Sequence, residues 1–104
     1  MENCFSKLQK ESKELEEFIS QKLKKKDSIY VLLTYLLAEC GEIADKVRGL
    51  ERNRVNSEHI KKEDLAKEIV DCVYNLMLIA NYYGISLDGF WKKRLKEIKL
   101  KFLD

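Results

Sequence analysis

The sequence predicts an all-α domain of four helices whose core is completed by oligomerisation. The 104 residues include no proline and only four glycines, so few positions interrupt a helix. Apolar side chains recur at spacings of three and four residues, the period of one face of an α-helix, in four successive stretches. Hydrophobic residues make up 45% of the chain, enough for one modest core, so residues 1–104 form a single predicted domain.

The first two predicted helices cover residues 2–24 and 29–48. The first is amphipathic, because its apolar residues keep helical spacing while lysine and glutamate occupy the opposite side. Asp27 and Ser28 precede the second helix and are suited to capping its N-terminus. Residues 29–38 are apolar nearly all round, which indicates burial on most sides. A chain this short has little to surround such a helix, so we expect a homo-oligomer to supply the missing cover.

The C-terminal half of the chain predicts a loop and two further helices. The loop covers residues 49–61, which are polar and begin with a glycine expected to end the second helix. The third helix covers residues 62–83, and Gly84 is expected to end it. Ser86 is expected to cap the fourth helix, which runs to about Phe102.

Charge and cysteine content exclude several classes of protein. The net charge of +2, with a pI near 8.4, is too mild to indicate a nucleic-acid-binding protein. The three cysteines are scattered and form neither a CxxC pair nor a disulfide framework, which favours reduced thiols. The longest uncharged run, residues 72–87, is shorter than the roughly 20 residues that span a bilayer. We therefore expect a cytoplasmic protein that binds neither a membrane nor nucleic acid.

A short polar line runs through each of the two central helices. The six residues are Glu39, Glu42 and Lys46 on the second helix and Glu68, Asp71 and Asn75 on the third. The spacing i, i+3, i+7 places each set of three on one helix face. Four of the six are carboxylates within apolar segments, and a buried carboxylate is costly unless it is paired or binds a cation.

The donor types in these lines indicate a hard divalent cation. Four carboxylates without a histidine or cysteine at ligand spacing fit Mg²⁺, or Mn²⁺ in its place. His59, the single histidine of the chain, lies in the predicted loop. Gly41 costs about 1 kcal/mol relative to alanine in mid-helix and favours the close approach of a second helix or a ligand. The alternative is a non-catalytic helical interaction module, in which the acids form only ion pairs across an interface between two copies.

The segments around these acids resemble a known family. Residues 39–43 (ECGEI) followed by residues 68–74 (EIVDCVY) are similar to the ExxE…ExxD signature of the MazG-like all-α nucleoside triphosphate pyrophosphohydrolases, and the similarity continues through residues 29–102. The resemblance implies Mg²⁺-dependent hydrolysis of a (d)NTP between its α- and β-phosphates, giving (d)NMP and pyrophosphate. It also implies a homodimer or homotetramer.

The resemblance also implies roles for individual acids. Glu39, Glu42, Glu68 and Asp71 would hold the metal ion. Glu39 would in addition be the general base that takes a proton from the attacking water.

Five further residues are candidates for binding the substrate. Asn75 is placed either to hydrogen-bond the nucleotide or a ligand acid, or to make a polar contact between helices. Lys46 is placed to reach either a phosphate or an acid of its own site. Lys93, Arg94 and Lys101 approximate the basic C-terminal pattern with which family members clamp phosphate.

A related enzyme gives a second interpretation of the same acids. Phosphoribosyl-ATP pyrophosphohydrolase has a similar length and similar acids, and usually carries a Tyr-His pair after its aspartate. This chain has Tyr74 and Asn75 at that place, so the MazG-like interpretation is preferred.

Overall fold

The structure, a computed structural model, describes residues 4–56 and 61–103 and confirms the all-α prediction. Four helices follow one another along the chain: α1 Cys4–Leu23, α2 Ile29–Asn56, α3 Lys62–Tyr82 and α4 Asp88–Leu100. Helices α2 and α3 pack against each other, α1 packs against α3, and α4 contacts α1 alone among the described helices. Across the described ranges, no helix is long and apolar enough to cross a membrane.

The predicted start of α2 is confirmed, while its predicted end is wrong. Ser28 Oγ accepts a hydrogen bond from the backbone N–H of Val31 at 3.3 Å, as a helix N-cap does. Gly49 does not end the helix, which continues to Asn56, and Gly49 itself is buried. Packing against other helices readily outweighs the weak helix propensity of one glycine. Residues 57–60, with His59, lie outside the described part of the chain.

Two left-handed residues end α1 and α3 in the same way. Gly84 has φ +66°; its N–H donates to the Asn81 carbonyl at 3.1 Å, and the Ile85 N–H donates to the Ala80 carbonyl at 2.9 Å. These bonds form a Schellman motif, so the predicted role of Gly84 is confirmed. At the end of α1 the left-handed residue is Lys24, with φ 53°. A lysine carries a steric penalty in this conformation that glycine does not.

The predicted capping of α4 is wrong. Leu87 occupies the N-cap position, and its side chain makes no capping hydrogen bond. Asp88 instead accepts hydrogen bonds from the first turn of α1. Its Oδ1 accepts from the Phe5 N–H at 2.9 Å and from the Ser6 N–H at 3.3 Å, and its Oδ2 accepts from the Ser6 hydroxyl. The start of α4 therefore satisfies N–H groups that α1 leaves unpaired at its own start.

Gln9 fixes α1 against the end of α3. Its side chain is buried and its Nε2 donates to Asn81 Oδ1 at 3.1 Å and to the Ile85 carbonyl at 2.6 Å. Its Oε1 accepts from the Leu87 N–H at 3.2 Å, and its backbone carbonyl accepts from Asn81 Nδ2 at 2.9 Å. One glutamine thus joins α1, α3 and the turn before α4.

The apolar core of one described chain is small. Its buried hydrophobic residues are Leu32, Met77, Leu78 and Ala80. Burial of residues 29–38 on most sides, as predicted, does not occur within one chain, since Tyr30 is 78% exposed and Leu37 65% exposed. The radius of gyration is 17.0 Å, whereas a compact chain of this length has about 13 Å.

Candidate metal centre

Three of the predicted ligand acids meet where α2 packs against α3. One carboxylate oxygen from each of Glu39, Glu42 and Glu68 lies within 4.8 Å of the other two. Glu39 and Glu42 are three residues apart on α2 and therefore share a face of that helix. Glu68 approaches them from α3. The interface between the two helices thus brings together three oxygen donors that are distant in sequence.

The environment of this three-acid cluster (Glu39, Glu42 and Glu68) is unfavourable for negative charge. Glu39 and Glu68 are half-buried while Glu42 is exposed. With all three ionised, the Oε2 atoms of Glu39 and Glu68 are buried and accept no hydrogen bond from the described residues. Buried carboxylate oxygens without a partner are destabilising. A bound cation would satisfy both atoms.

Glu42 responds to the crowding of like charges. In its protonated form it donates a hydrogen bond to Glu68, and this bond raises the pKa of Glu42 above its ordinary value. The negative charge of Glu68 and partial desolvation raise the pKa further, and the charge of Asp71 adds a smaller increase. Lys46 acts in the opposite direction and lowers the pKa of Glu42.

Asp71, Lys46 and Asn75 surround the cluster without joining it. Asp71 is half-buried and close enough to affect Glu42 electrostatically, yet it lies outside the set of three mutually close oxygens. Lys46 is half-buried beside Glu42. Asn75 is buried, and its Nδ2 donates to the backbone carbonyl of Asp71 at 3.1 Å. Among the described residues, Asn75 bonds its own helix and makes no hydrogen bond to another helix.

The predicted phosphate-binding residues of α4 lie apart from the cluster. Lys93, Arg94 and Lys101 are exposed, and α4 packs against α1 without contacting α2 or α3 in the described structure. Arg94 pairs with Glu97 at 3.7 Å on the same helix. Within a single chain these three cations are therefore not brought to the acids.

Two thiols that no sequence motif pairs meet beside the acids. Cys40 follows Glu39 on α2 and Cys72 follows Asp71 on α3. Burial raises the pKa of the Cys72 thiol, and the nearby Cys40 raises it further. Because Glu42 meets Glu68 while Cys40 meets Cys72, the two helices run antiparallel. Spacing along the sequence does not show how α2 and α3 are aligned, so it could not indicate that these two cysteines are neighbours.

A cavity of about 350 Å³ opens next to this interface. Helices α2 and α3 contribute Tyr35, Tyr74 and Asn75, and the α1 side contributes Glu16 and Asp27. No motif marked these aromatic and acidic residues as a group, because they come from three separate parts of the chain. A second cavity, of about 640 Å³, lies farther along α3 around Asn81 and Gly84.

Comparison with known proteins gives a family and a relative. Residues 27–99 match the family model described as the MazG nucleotide pyrophosphohydrolase domain, which covers more than half of the chain. The chain is also 28% identical over 79 residues to the uncharacterized protein YvdC of Bacillus subtilis (strain 168), across 70% of this chain and 74% of that protein. No solved structure matches the chain. The resemblance noted around the acids of α2 and α3 is therefore confirmed, and the matched residues begin after α1.

Proposed function

Because the chain belongs to the MazG nucleotide pyrophosphohydrolase domain family, we propose that it hydrolyses (d)NTPs to (d)NMP and pyrophosphate with Mg²⁺. The three-acid cluster is the observation that carries the proposal. Its oxygens lie within 4.8 Å of one another, and two of its carboxylates each keep one buried oxygen without a partner. Such an arrangement is poorly suited to a purely structural contact and well suited to a cation.

The donor set supports the choice of metal. Glu39, Glu42 and Glu68 offer oxygen alone, which favours Mg²⁺ over the softer metals, with Mn²⁺ as a substitute. Asp71, one helical turn beyond Glu68, would complete the set of four acids. When bound, the ion would neutralise phosphate charge and help to polarise the α-phosphorus for attack by water.

The residues of the chain would divide the remaining work. Glu39 would accept a proton from the attacking water, because its buried Oε2 has no other proton donor among the described residues. Glu42 would bind the ion in its ionised form, and the cation would offset the negative charge of Glu68 that raises the pKa of Glu42. Lys46 would offset excess negative charge beside Glu42, or contact a phosphate. Asn75 would hold the turn that carries Asp71 through the bond to its carbonyl.

Assembly of two or four copies would complete the protein. The support is the extended shape, with a radius of gyration of 17.0 Å, and the number of large apolar side chains left exposed. Those on the central helices are Tyr30, Leu33, Tyr35, Leu37, Val47, Ile69, Val70, Leu76 and Tyr82. An exposed apolar surface of this kind is typical of an interface. A second copy would also offer a route by which Lys93, Arg94 and Lys101 reach the acids.

Product analysis tests this function. The protein is incubated with Mg²⁺ and each of the common NTPs and dNTPs, and pyrophosphate, orthophosphate and nucleotide products are quantified. Wild type should release pyrophosphate and NMP in equal amounts, and Glu68→Gln should lose this activity. Glu63→Gln, an exposed position in the first turn of α3, should retain it. Release of orthophosphate alone, or equal turnover by Glu68→Gln, would contradict the proposal, as would the absence of any product.

Nucleoside triphosphates are abundant in the cytoplasm, where we accordingly place the protein. A substrate panel that includes phosphoribosyl-ATP would separate the proposed activity from that of the related histidine-pathway enzyme.

A further inference from the structure

The cavity of about 350 Å³ is a direct continuation of the three-acid cluster. On α2 its residues Leu32 and Tyr35 precede Glu39 at helical spacing, seven and four positions away. On α3 its residues Asn75 and Leu78 follow Glu68 seven and ten positions later. These spacings keep each set on one helix face. The same faces of the two helices therefore form first the cluster and then the cavity.

Distance along the helices distinguishes this cavity from the larger one. Asn75 lies about 10 Å along α3 from Glu68, and Tyr35 lies about 6 Å along α2 from Glu39, at 1.5 Å per residue. A nucleoside attached to a phosphate at the acids can reach that far. The larger cavity adjoins the smaller one, since both are lined by Glu16, Asp27, Leu32 and Leu78. It extends past Asn81, about 20 Å along α3 from Glu68 by the same measure, which is beyond the reach of a nucleoside.

The interior of the smaller cavity combines aromatic and polar groups. Tyr35 and Tyr74 provide ring faces on which a base can stack. Asn75 is only 7% exposed and lines the cavity. Its amide oxygen accepts no hydrogen bond from any residue that the structure describes, because the one bond of its side chain is donated to Asp71.

The wall of the cavity on the α1 side carries two carboxylates, together with the exposed Lys25. Glu16 on α1 and Asp27 before α2 are both half-buried and line the cavity. After burial, their charges are the next causes that raise the pKa of Tyr74, so both lie near its hydroxyl. Ionised carboxylates accept hydrogen bonds and donate none. Two adjacent N–H donors on a base therefore match a carboxylate of this wall, whereas a base whose single N–H lies between two carbonyl oxygens brings an oxygen against the carboxylate.

The bases differ in how they meet this requirement. Guanine presents two neighbouring donors, its N1–H and 2-amino group, as a carboxylate requires. Uracil and thymine present one N–H between two carbonyl oxygens. Adenine and cytosine present one amino group next to a ring-nitrogen acceptor.

We propose that this cavity holds the base of the substrate and that Glu16 and Asp27 select guanine nucleotides over uracil and thymine nucleotides. The selection rests on the proposed function for its biological meaning. Glu16 belongs to α1, which precedes the matched residues 27–99, so the family match does not itself assign a role to this residue.

Equilibrium binding of GMP, IMP and UMP in EDTA tests the selection without requiring hydrolysis. Wild type should bind GMP about 10-fold or more tightly than UMP, with IMP, which lacks the 2-amino group, between them. Glu16→Gln and Asp27→Asn should bring the GMP-to-UMP ratio towards one. The new amides should also tighten UMP binding, which a merely damaged cavity would not do. Glu17→Gln, exposed on the same helix, is the matched control.

Three results would overturn the selection. The first is equal binding of GMP and UMP by wild type, and the second is no GMP binding at millimolar concentration. The third is a GMP-to-UMP affinity ratio equal to that of wild type in both Glu16→Gln and Asp27→Asn, when thermal melting shows that both variants are folded. Pyrophosphate release is measured separately on the same samples. Selective GMP binding without turnover of any triphosphate would contradict the proposed function and leave the base selection standing. Turnover of GTP and UTP with equal kcat/KM would contradict the base selection and leave the proposed function standing.

Discussion

The carboxyl groups of Glu42 on α2 and Glu68 on α3 meet across the interface of the two helices. Protonated Glu42 donates a hydrogen bond to Glu68, and this contact is the largest cause of the raised pKa of Glu42. Glu39 lies within 4.8 Å of both. When these carboxyl groups are ionised and no cation is bound, the two helices hold like charges together, and the consequences of this repulsion can be measured.

Metal ions should stabilise the protein through these acids. We expect Mg²⁺ or Mn²⁺ to raise the melting temperature of wild type, because the ion binds the folded state and not the unfolded chain. Glu68→Gln should be more stable than wild type in EDTA, since it removes one of the mutually repelling negative charges. Its melting temperature should rise little when metal is added. Glu63→Gln should respond to metal as wild type does. A full metal response in Glu68→Gln would show that the ion binds elsewhere.

The pH dependence of stability without metal should reveal Glu42. Its pKa is raised above the ordinary 4.5, so between that value and the raised pKa the folded state binds more protons than the unfolded state. Stability attributable to Glu42 therefore falls as pH rises through this interval. Melting of wild type and Glu42→Gln in EDTA from pH 4 upwards measures the difference. The variant should lack the decline, and an identical pH profile in both proteins would refute the interpretation.

Asp88 should stabilise α1 although it belongs to α4. Asp88→Ala removes the acceptor for the Phe5 and Ser6 N–H groups and should lower the melting temperature. Ser86→Ala, at the position expected to cap α4, should have a smaller effect because Leu87 and not Ser86 occupies the N-cap position. Thermal unfolding of the two variants decides between these roles. A larger loss in Asp88→Ala supports its contact with α1, whereas a larger loss in Ser86→Ala would support Ser86 as the cap of α4.

The same contact predicts a loss of stability in acid. The hydrogen bond from the Ser6 hydroxyl is the largest cause that lowers the pKa of Asp88 from 3.8, and backbone bonds from Phe5 and Ser6 lower it further. Its contribution is present above pH 3.8 and is lost as pH falls through the lowered pKa. Asp88→Ala should therefore show less acid destabilisation than wild type.

Lys24 offers a stabilising substitution. Its φ of 53° lies in the left-handed region, where glycine carries no steric penalty, so Lys24→Gly should stabilise the protein by about 0.5–1 kcal/mol. Lys25→Gly, next to it and without a positive φ, should give no gain. Urea unfolding of both variants measures the effect, and equal changes in stability would rule out a local cause at Lys24.

Helical periodicity explains which parts of the fold and site the sequence could predict. The i, i+3 spacing of Glu39 and Glu42 fixes a shared face on any helix, and the apolar segments around them fix the helices. The end of α2 was not predictable in this way, because Gly49 is a stop signal by propensity and is overruled by packing.

Long-range contacts account for the remainder. Asp88 bonds Phe5 across 83 positions, and Gln9 bonds Asn81 across 72. Neither residue has a local pattern that indicates its partner. The cavity has the same origin, since Glu16, Asp27 and Tyr74 become neighbours only when α1 packs against α3.

The fate of the water oxygen tests the central claim most directly. Hydrolysis of a (d)NTP in H₂¹⁸O with Mg²⁺ places the label in whichever product contains the attacked phosphorus, and mass spectrometry of both products locates it. We expect the label in the (d)NMP and none in pyrophosphate, with Glu63→Gln behaving as wild type and Glu68→Gln giving no labelled product. Label in pyrophosphate or in orthophosphate, or unchanged labelling by Glu68→Gln, would contradict attack at the α-phosphorus by this site.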